Sequence, residues 1–313
     1  MSAPARVGIL VGRERSFPDA LIAEVARRDQ GVVAEYAHID LARGDAPRTY
    51  EVLVDRISHD VTCYQPVLKL AALAGTRVVN NPFWRIADDK AFGTALVGKL
   101  GVPIPKTYVL PSKEYSPDVS AASLRNLAYP LDWDGMIDDL GLPIFLKPHW
   151  GGGFRDVHRV TSKDELLRVY DKTGRLTMIA QEAIEWSQYV RCVVVGRTEV
   201  LALPWDPRLS HFERYSGARS SMPPLDPALH DAIVKHARTI CEALGYEMNT
   251  CEFAVRDGVP YAIDFMNSAP DFDVSSLGEE SFAWVVGKMA ELVIRLSKEP
   301  PATTYRWDAM LTR

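Results

Sequence analysis

The chain lacks both of the fingerprints that most directly mark a nucleotide fold. No G-x-G-x-x-G follows its first strand candidate, where Gly12-Arg13-Glu14-Arg15 stands instead, and G-x-x-x-x-G-K-[ST] occurs nowhere. Cysteine is scarce. Cys63, Cys192, Cys241 and Cys251 are scattered with no C-x-x-C pair, which excludes a zinc-ribbon pattern and a disulfide framework and points to reduced thiols. No run approaches the ~20 apolar residues of a membrane span, and the apolar stretch near the N-terminus breaks at once into charge. A cytoplasmic protein without a membrane partner is expected. There is no surplus of positive charge either: 36 lysines and arginines face 41 aspartates and glutamates, a net charge of -5. That disfavours nucleic acid as the main partner and means that an anionic ligand must be met by individually placed cations.

What is present is an ordered alternation. Val7 to Val11, Val32 to Ala37, Val52 to Asp55 and Arg77 to Asn80 read as strands, with helical spacing over Pro18 to Arg28 and Cys63 to Ala74. Such βαβ alternation predicts a small parallel sheet with helices on its faces. A helix over Ile86 to Leu100 follows, then a strand at Thr107 to Leu110. The stretch Pro111 to Asp139 is poor in periodicity and reads as a boundary or surface insertion. Pro143 to Lys147, Val157 to Val160, Met178 to Glu182, Tyr189 to Val195 and Glu199 to Pro204 are further strands. Ser162 with Glu165 makes a capping box for a helix over Lys163 to Asp171. Asp226 and Pro227 open a helix that Gly245 stops, and Glu279 to Lys298 is a last amphipathic helix. The aperiodic loop Trp205 to Pro224 carries Arg208, His211, Arg214 and Arg219, and loops of that length are more often functional than idle.

Three local patterns carry chemistry. In Thr250 to Asp271 two strands, Cys251 to Val255 and Val259 to Phe265, flank Arg256-Asp257-Gly258. A three-residue loop ending at the glycine places Glu252 opposite Ala262, and period-two alternation then puts Glu252 and Asp264, twelve positions apart, on one face. Two carboxylates so close repel unless a cation joins them, and such an oxygen site suits Mg²⁺, with Asn267 able to add a neutral oxygen. Taken alone, the pair also fits an amphipathic hairpin with both acids in solvent. Lys147 closes an apolar strand and is followed by Pro148-His149-Trp150 and Gly151-Gly152-Gly153, a loop whose bare N–H groups can cover phosphates. Arg191 sits mid-strand among apolar neighbours, either snorkelling at an edge or aimed into a cleft.

In their order, these motifs resemble those of the ATP-grasp superfamily, the carboxylate–amine ligases that include D-alanine:D-alanine ligase, glutathione synthetase and the ribosomal-protein glutamate ligases. Asp89-Lys90 resembles the first phosphate-binding lysine motif, and Pro143 to Pro148 the strand whose lysine, here Lys147, reaches the α and β phosphates. Gly151, Gly152 and Gly153 resemble the phosphate-covering loop. Gln181, Glu182, Ala183 and Ile184 look like the hinge that holds adenine, and Gln188 stands where relatives often carry an acid on the ribose. Arg191 is similar to the arginine that faces the transferred phosphoryl group, and Glu252, Asp264 and Asn267 match the metal ligands. Where relatives read Glu-x-Asn, Asp264-Phe265-Met266-Asn267 holds one residue more, so a bulge absorbing Phe265 or Met266 is expected.

The resemblance implies an α/β ATP-grasp fold in three parts: an N-terminal α/β domain at 1–106, a small lid subdomain at 107–182 and a C-terminal subdomain with the metal site at 183–313. It also implies ATP with Mg²⁺ (or Mn²⁺ in its place), small-molecule carboxylate and amine substrates of the amino-acid or peptide class, and compatibility with a homodimer. The reaction would pass through an acyl phosphate to an amide. Two alternatives stay open on the same fold: a small-molecule kinase, and a non-catalytic nucleotide-binding subunit.

Overall fold

The computed structural model describes residues 3–84, 89–152, 154–208, 224–300 and 310 of the chain. Gly153 and most of the loop around His211, Arg214 and Arg219 lie outside the described residues, as do 85–88 in the expected Ile86 to Leu100 helix. In chain order the elements are β1 (Ala5–Leu10), α1 (Ser16–Arg28), β2 (Val32–Tyr36), β3 (Val52–Asp55), α2 (Tyr64–Leu73), β4 (Arg77–Val79), α3 (Lys90–Lys99) and β5 (Thr107–Leu110). They continue with α4 (Trp133–Leu140), β6 (Ile144–Pro148), β7 (His158–Val160), α5 (Lys163–Tyr170), β8 (Met178–Glu182), β9 (Gln188–Val195) and β10 (Glu199–Pro204). The last are α6 (Pro227–Leu244), β11 (Met248–Arg256), β12 (Val259–Asp264), α7 (Val274–Leu277) and α8 (Glu279–Lys298). No described helix is long and apolar enough to cross a membrane.

The chain divides into two compact units that interleave along the sequence. One comprises Met1–Ile86, Arg191–Cys251 and Asn267–Arg313, and the other Ala87–Val190 and Glu252–Met266. The first contains the parallel sheet expected from the βαβ alternation, in the order β2-β1-β3-β4. Both of its faces are buried, which is why these strands read as unbroken apolar runs. Val7, Ile9, Val52 and Val54 join Phe17, Leu21 and Val25 of α1 and Val285, Met289 and Val293 of α8 in one cluster. Leu10, Leu53 and Val78 pack with Leu68 and Ala72 of α2 in another. Behind β3, the Arg56 side chain is buried, holding Glu14 at 2.5 Å and donating to the Pro270 carbonyl at 2.7 Å. Its guanidinium lies 5.0 Å from the Phe17 ring centre and 4.8 Å from that of Phe272.

The second unit is built on an antiparallel sheet in the order β5-β8-β6-β7. Leu146, Ile144, Met178 and Ala180 bury one face of it against Met136 and Leu140 of α4 and Leu166 and Tyr170 of α5. Helix α4 corrects the reading of Pro111 to Asp139 as a featureless insertion. Trp133, Met136, Ile137 and Leu140 recur at helical spacing, and Asp132 caps the element by accepting from Gly135 N. The pattern lasts only two turns, too short to stand out beside Pro130. A further four-stranded sheet has the order β10-β9-β11-β12.

Candidate functional site

The hairpin β11–β12 brings the two acids together by a different route from the one its sequence suggests. Arg256 pairs with Val259, so the loop is the two residues Asp257 and Gly258, with φ of 53° and 76°. Both lie in the left-handed region that a two-residue hairpin turn of this kind demands, and Asp-Gly is among its preferred sequences. Phe253 then faces Ala262, one position off the expected register, and uninterrupted pairing would set Glu252 against Ile263. The ladder instead shifts between Glu252 and Phe253, a bulge that passes over Ile263 and pairs Glu252 with Asp264. The two carboxylates are thus direct cross-strand partners. The bulge falls at Ile263, before Asp264 and two residues ahead of the Phe265 or three ahead of the Met266 expected to absorb it, and β12 ends at Asp264.

Lys147 meets the same hairpin. The lysine is 8% exposed at the end of β6, and its ammonium donates to the carbonyl of Ile263, the bulged residue, at 3.3 Å. Burial pushes the Lys147 amine below its ordinary range; Asp264 and Glu252 pull it back up, while Lys90 adds to the lowering. All four charged groups belong to one unit and sense one another. Glu252 also receives a hydrogen bond of 2.6 Å from the hydroxyl of Tyr189. Sequence reasoning missed this residue, although its position two before Arg191 on β9 was the available signal.

Lys90 is anchored at the mouth of the glycine loop. Asp89 caps α3 by accepting from Ala91 N at 2.8 Å and Phe92 N at 3.1 Å, and its other oxygen lies 3.4 Å from His149 Nδ1. The backbone N–H of Lys90 donates to His149 O at 2.9 Å, and its ammonium donates to Gly151 O. Gly151 has φ of 99°, and no described residue lies within 4 Å of where a Cβ would stand on it or on Gly152. Among the described residues, Gly151 and Gly152 therefore have open space on the side a Cβ would occupy.

The hinge segment is more occupied than its sequence implies. Gln181 is buried and its amide nitrogen donates to Thr107 Oγ1 at 2.9 Å. Glu182 accepts from Arg256 at 2.7 Å and from Lys106 N at 3.3 Å, while Ala183 N donates to Pro143 O at 3.3 Å. Ile184 is buried, and Gln188 is half-buried at the start of β9. In the other unit, the guanidinium of Arg191 stacks 4.8 Å from the Trp205 ring centre, and its Nε is buried without a hydrogen-bond partner among the described residues. Asn267, also there, donates through Nδ2 to Thr250 Oγ1 at 2.9 Å. Arg208 is exposed and forked onto Asp206 at 2.7 Å.

Among the described residues no three His, Cys, Asp or Glu side chains group to hold a metal. A donor set of two in-register carboxylates nevertheless fits Mg²⁺, which is commonly held by one or two carboxylates and completes its shell with water and phosphate oxygens.

Comparison with protein-family models finds no match. In sequence the chain is 28% identical over 240 residues to a D-alanine–D-alanine ligase of Ralstonia nicotianae, covering 68% of this chain and 71% of that protein. It is 30% identical over 155 residues to the protein of the same name from Ralstonia pickettii, covering 45% and 46%. In structure it is similar to a RimK-domain ATP-grasp protein of Sphaerobacter thermophilus, with a TM-score of 0.64, 22% identity and coverage of 93% and 100%. The D-alanine–D-alanine ligase of Bacillus anthracis in complex with ATP gives a TM-score of 0.65, 18% identity and coverage of 95% and 97%. The chain therefore has the α/β ATP-grasp fold and resembles D-alanine–D-alanine ligase and related ATP-grasp enzymes.

Proposed function

We propose that the chain is an ADP-forming carboxylate–amine ligase that uses ATP and Mg²⁺. The observation that carries this reading is the bulge at Ile263, which sets Glu252 and Asp264 side by side and turns a backbone carbonyl toward the buried ammonium of Lys147. A buried lysine is costly unless nearby negative charge compensates it. A triphosphate does so.

In this proposal Lys90 and Lys147 bind the phosphates of ATP, and Gly151, Gly152 and Gly153 cover them. Gln181 to Ile184 hold adenine, chiefly through backbone since the Gln181 and Glu182 side chains are engaged, and Gln188 meets the ribose. Glu252, Asp264 and Asn267 would hold Mg²⁺, or Mn²⁺ in its place, and a bound divalent ion neutralises phosphate charge. Arg191 steadies the oxygens of the transferring phosphoryl group. A carboxylate oxygen of the substrate attacks the γ-phosphorus, the bond from that phosphorus to the bridging oxygen breaks, and ADP leaves. An amine nitrogen then attacks the acyl carbon, the carbon–oxygen bond to phosphate breaks, and an amide forms with loss of one amine proton. The substrates belong to the amino-acid or peptide class, with D-alanine the first candidate because the curated relatives bear its name. The chain's division at 1–106, 107–182 and 183–313 would assign the ATP clamp to the last two parts.

Incubation with ATP, Mg²⁺ and pooled amino acids tests this. Expected are ADP, phosphate and an amide, with a hydroxamate when hydroxylamine is added before the amine. A phosphorylated product, or no turnover with any carboxylate, would overturn it.

A further inference from the structure

The hydroxyl of Tyr189 has no role in the chemistry set out above, yet it makes one of the closest contacts to a proposed metal ligand. It donates to Oε2 of Glu252 at 2.6 Å, the distance of a hydrogen bond strengthened by a negative acceptor. The phenol is held in place from the segment that leads into its strand. Tyr189 is 8% exposed, its ring centre lies 5.3 Å from that of Trp186, and Ser187 fastens the approach to β9 by donating from its N–H at 2.9 Å and its hydroxyl at 3.2 Å to Val255 O. A rigid donor on a carboxylate does two things. It fixes the rotation of the carboxylate plane, and it lowers the capacity of the engaged oxygen to bind a cation.

We propose that Tyr189 is a positioning residue that makes Glu252 a one-oxygen ligand, through Oε1, and thereby biases the site toward Mg²⁺ and against Ca²⁺. Ca²⁺ takes more oxygens at longer range and commonly grips a carboxylate through both, whereas Mg²⁺ requires near-octahedral single contacts. The inference rests on the metal-site reading of Glu252 and Asp264. It differs from a packing role for the tyrosine, because packing does not distinguish two divalent ions.

The test is Mn²⁺ binding by electron paramagnetic resonance, with a non-hydrolysable ATP analogue and competition by Mg²⁺ or Ca²⁺. Tyr189→Phe keeps the ring on Trp186 and removes only the hydroxyl. The expected result is about tenfold weaker Mn²⁺ and Mg²⁺ binding, a smaller change for Ca²⁺, and so a reduced preference for Mg²⁺. Glu252→Asp, which withdraws the carboxylate from the phenol, reduces the preference in the same direction. Equal changes for both ions in Tyr189→Phe, or none, would overturn the role of Tyr189. Glu252→Gln separates the two claims: if it leaves Mn²⁺ binding intact, the metal site itself falls, and if it abolishes binding while Tyr189→Phe is silent, only the present inference falls.

Discussion

Replacing Lys147 with methionine should move nucleotide binding and stability in opposite directions. The lysine is 8% exposed, and among the described residues its ammonium donates to the Ile263 carbonyl at 3.3 Å. In the ligand-free protein the ammonium has thus given up most of its hydration for one long hydrogen bond and the fields of Asp264 and Glu252. Methionine fills nearly the same volume without that cost, and exchanges of this kind are often neutral or stabilising by ~1–4 kcal/mol. Asp264 is exposed and Glu252 keeps its Tyr189 bond, so neither acid is stranded by the loss. We therefore expect ligand-free Lys147→Met to be as stable as the parent, or more so by up to about 2 kcal/mol. Binding of a fluorescent ATP analogue with Mg²⁺ loses a hydrogen bond to a charged group, ~1.5–3 kcal/mol, which is a factor of roughly 10 to 150 in Kd. Thermal melting with and without nucleotide reads both quantities. A variant that melts several degrees lower yet binds nucleotide as the parent does would refute the argument, since that is how a purely structural lysine behaves.

Two further expectations concern the first unit. Arg56→Ala removes one side of a buried pair and leaves Glu14 behind, along with the Pro270 carbonyl and two aromatic rings, and should cost about 3–5 kcal/mol in urea unfolding; a loss under about 1 kcal/mol would show that the pair does not hold β3 to its surroundings. The Arg27 and Arg28 guanidinium groups hold the Glu24 carboxyl down at about 2 against an ordinary 4.5. Because the folded value is the lower one, its contribution is complete above pH 4.5 and is lost as the pH falls toward 2. Solvent screening keeps that contribution to about 1 kcal/mol or less, so Glu24→Gln should melt slightly lower at pH 7 and converge with the parent only as the pH approaches about 2. Curves that run parallel through the acid range would contradict it.

The parallel sheet was legible because both its faces are buried, so β1, β3 and β4 appear as short apolar runs whatever their register. Lys147 was legible for the opposite reason: a charge that closes an apolar strand conflicts with local pattern, and such conflicts gather at functional sites. The hairpin marks where this reasoning stops. Alternation conveys parity, and parity is what a bulge resets. Taking Arg256 into the loop shifted the register by one, and straight strands in the observed register would have turned Asp264 to the face opposite Glu252. No residue type announces the correction, because Ile263 is an ordinary apolar strand residue and the information lies in a backbone carbonyl that leaves the ladder. That carbonyl is the group Lys147 reaches. The extra residue in β12 supplies the lysine's anchor while the ladder still pairs the acids, so deleting Ile263 would leave Asp264 opposite Glu252 in a straight ladder and remove the carbonyl that holds the ammonium. The same reasoning explains why Tyr189 escaped notice: a tyrosine in a strand is ordinary, and only its distance to Glu252 distinguishes it from core.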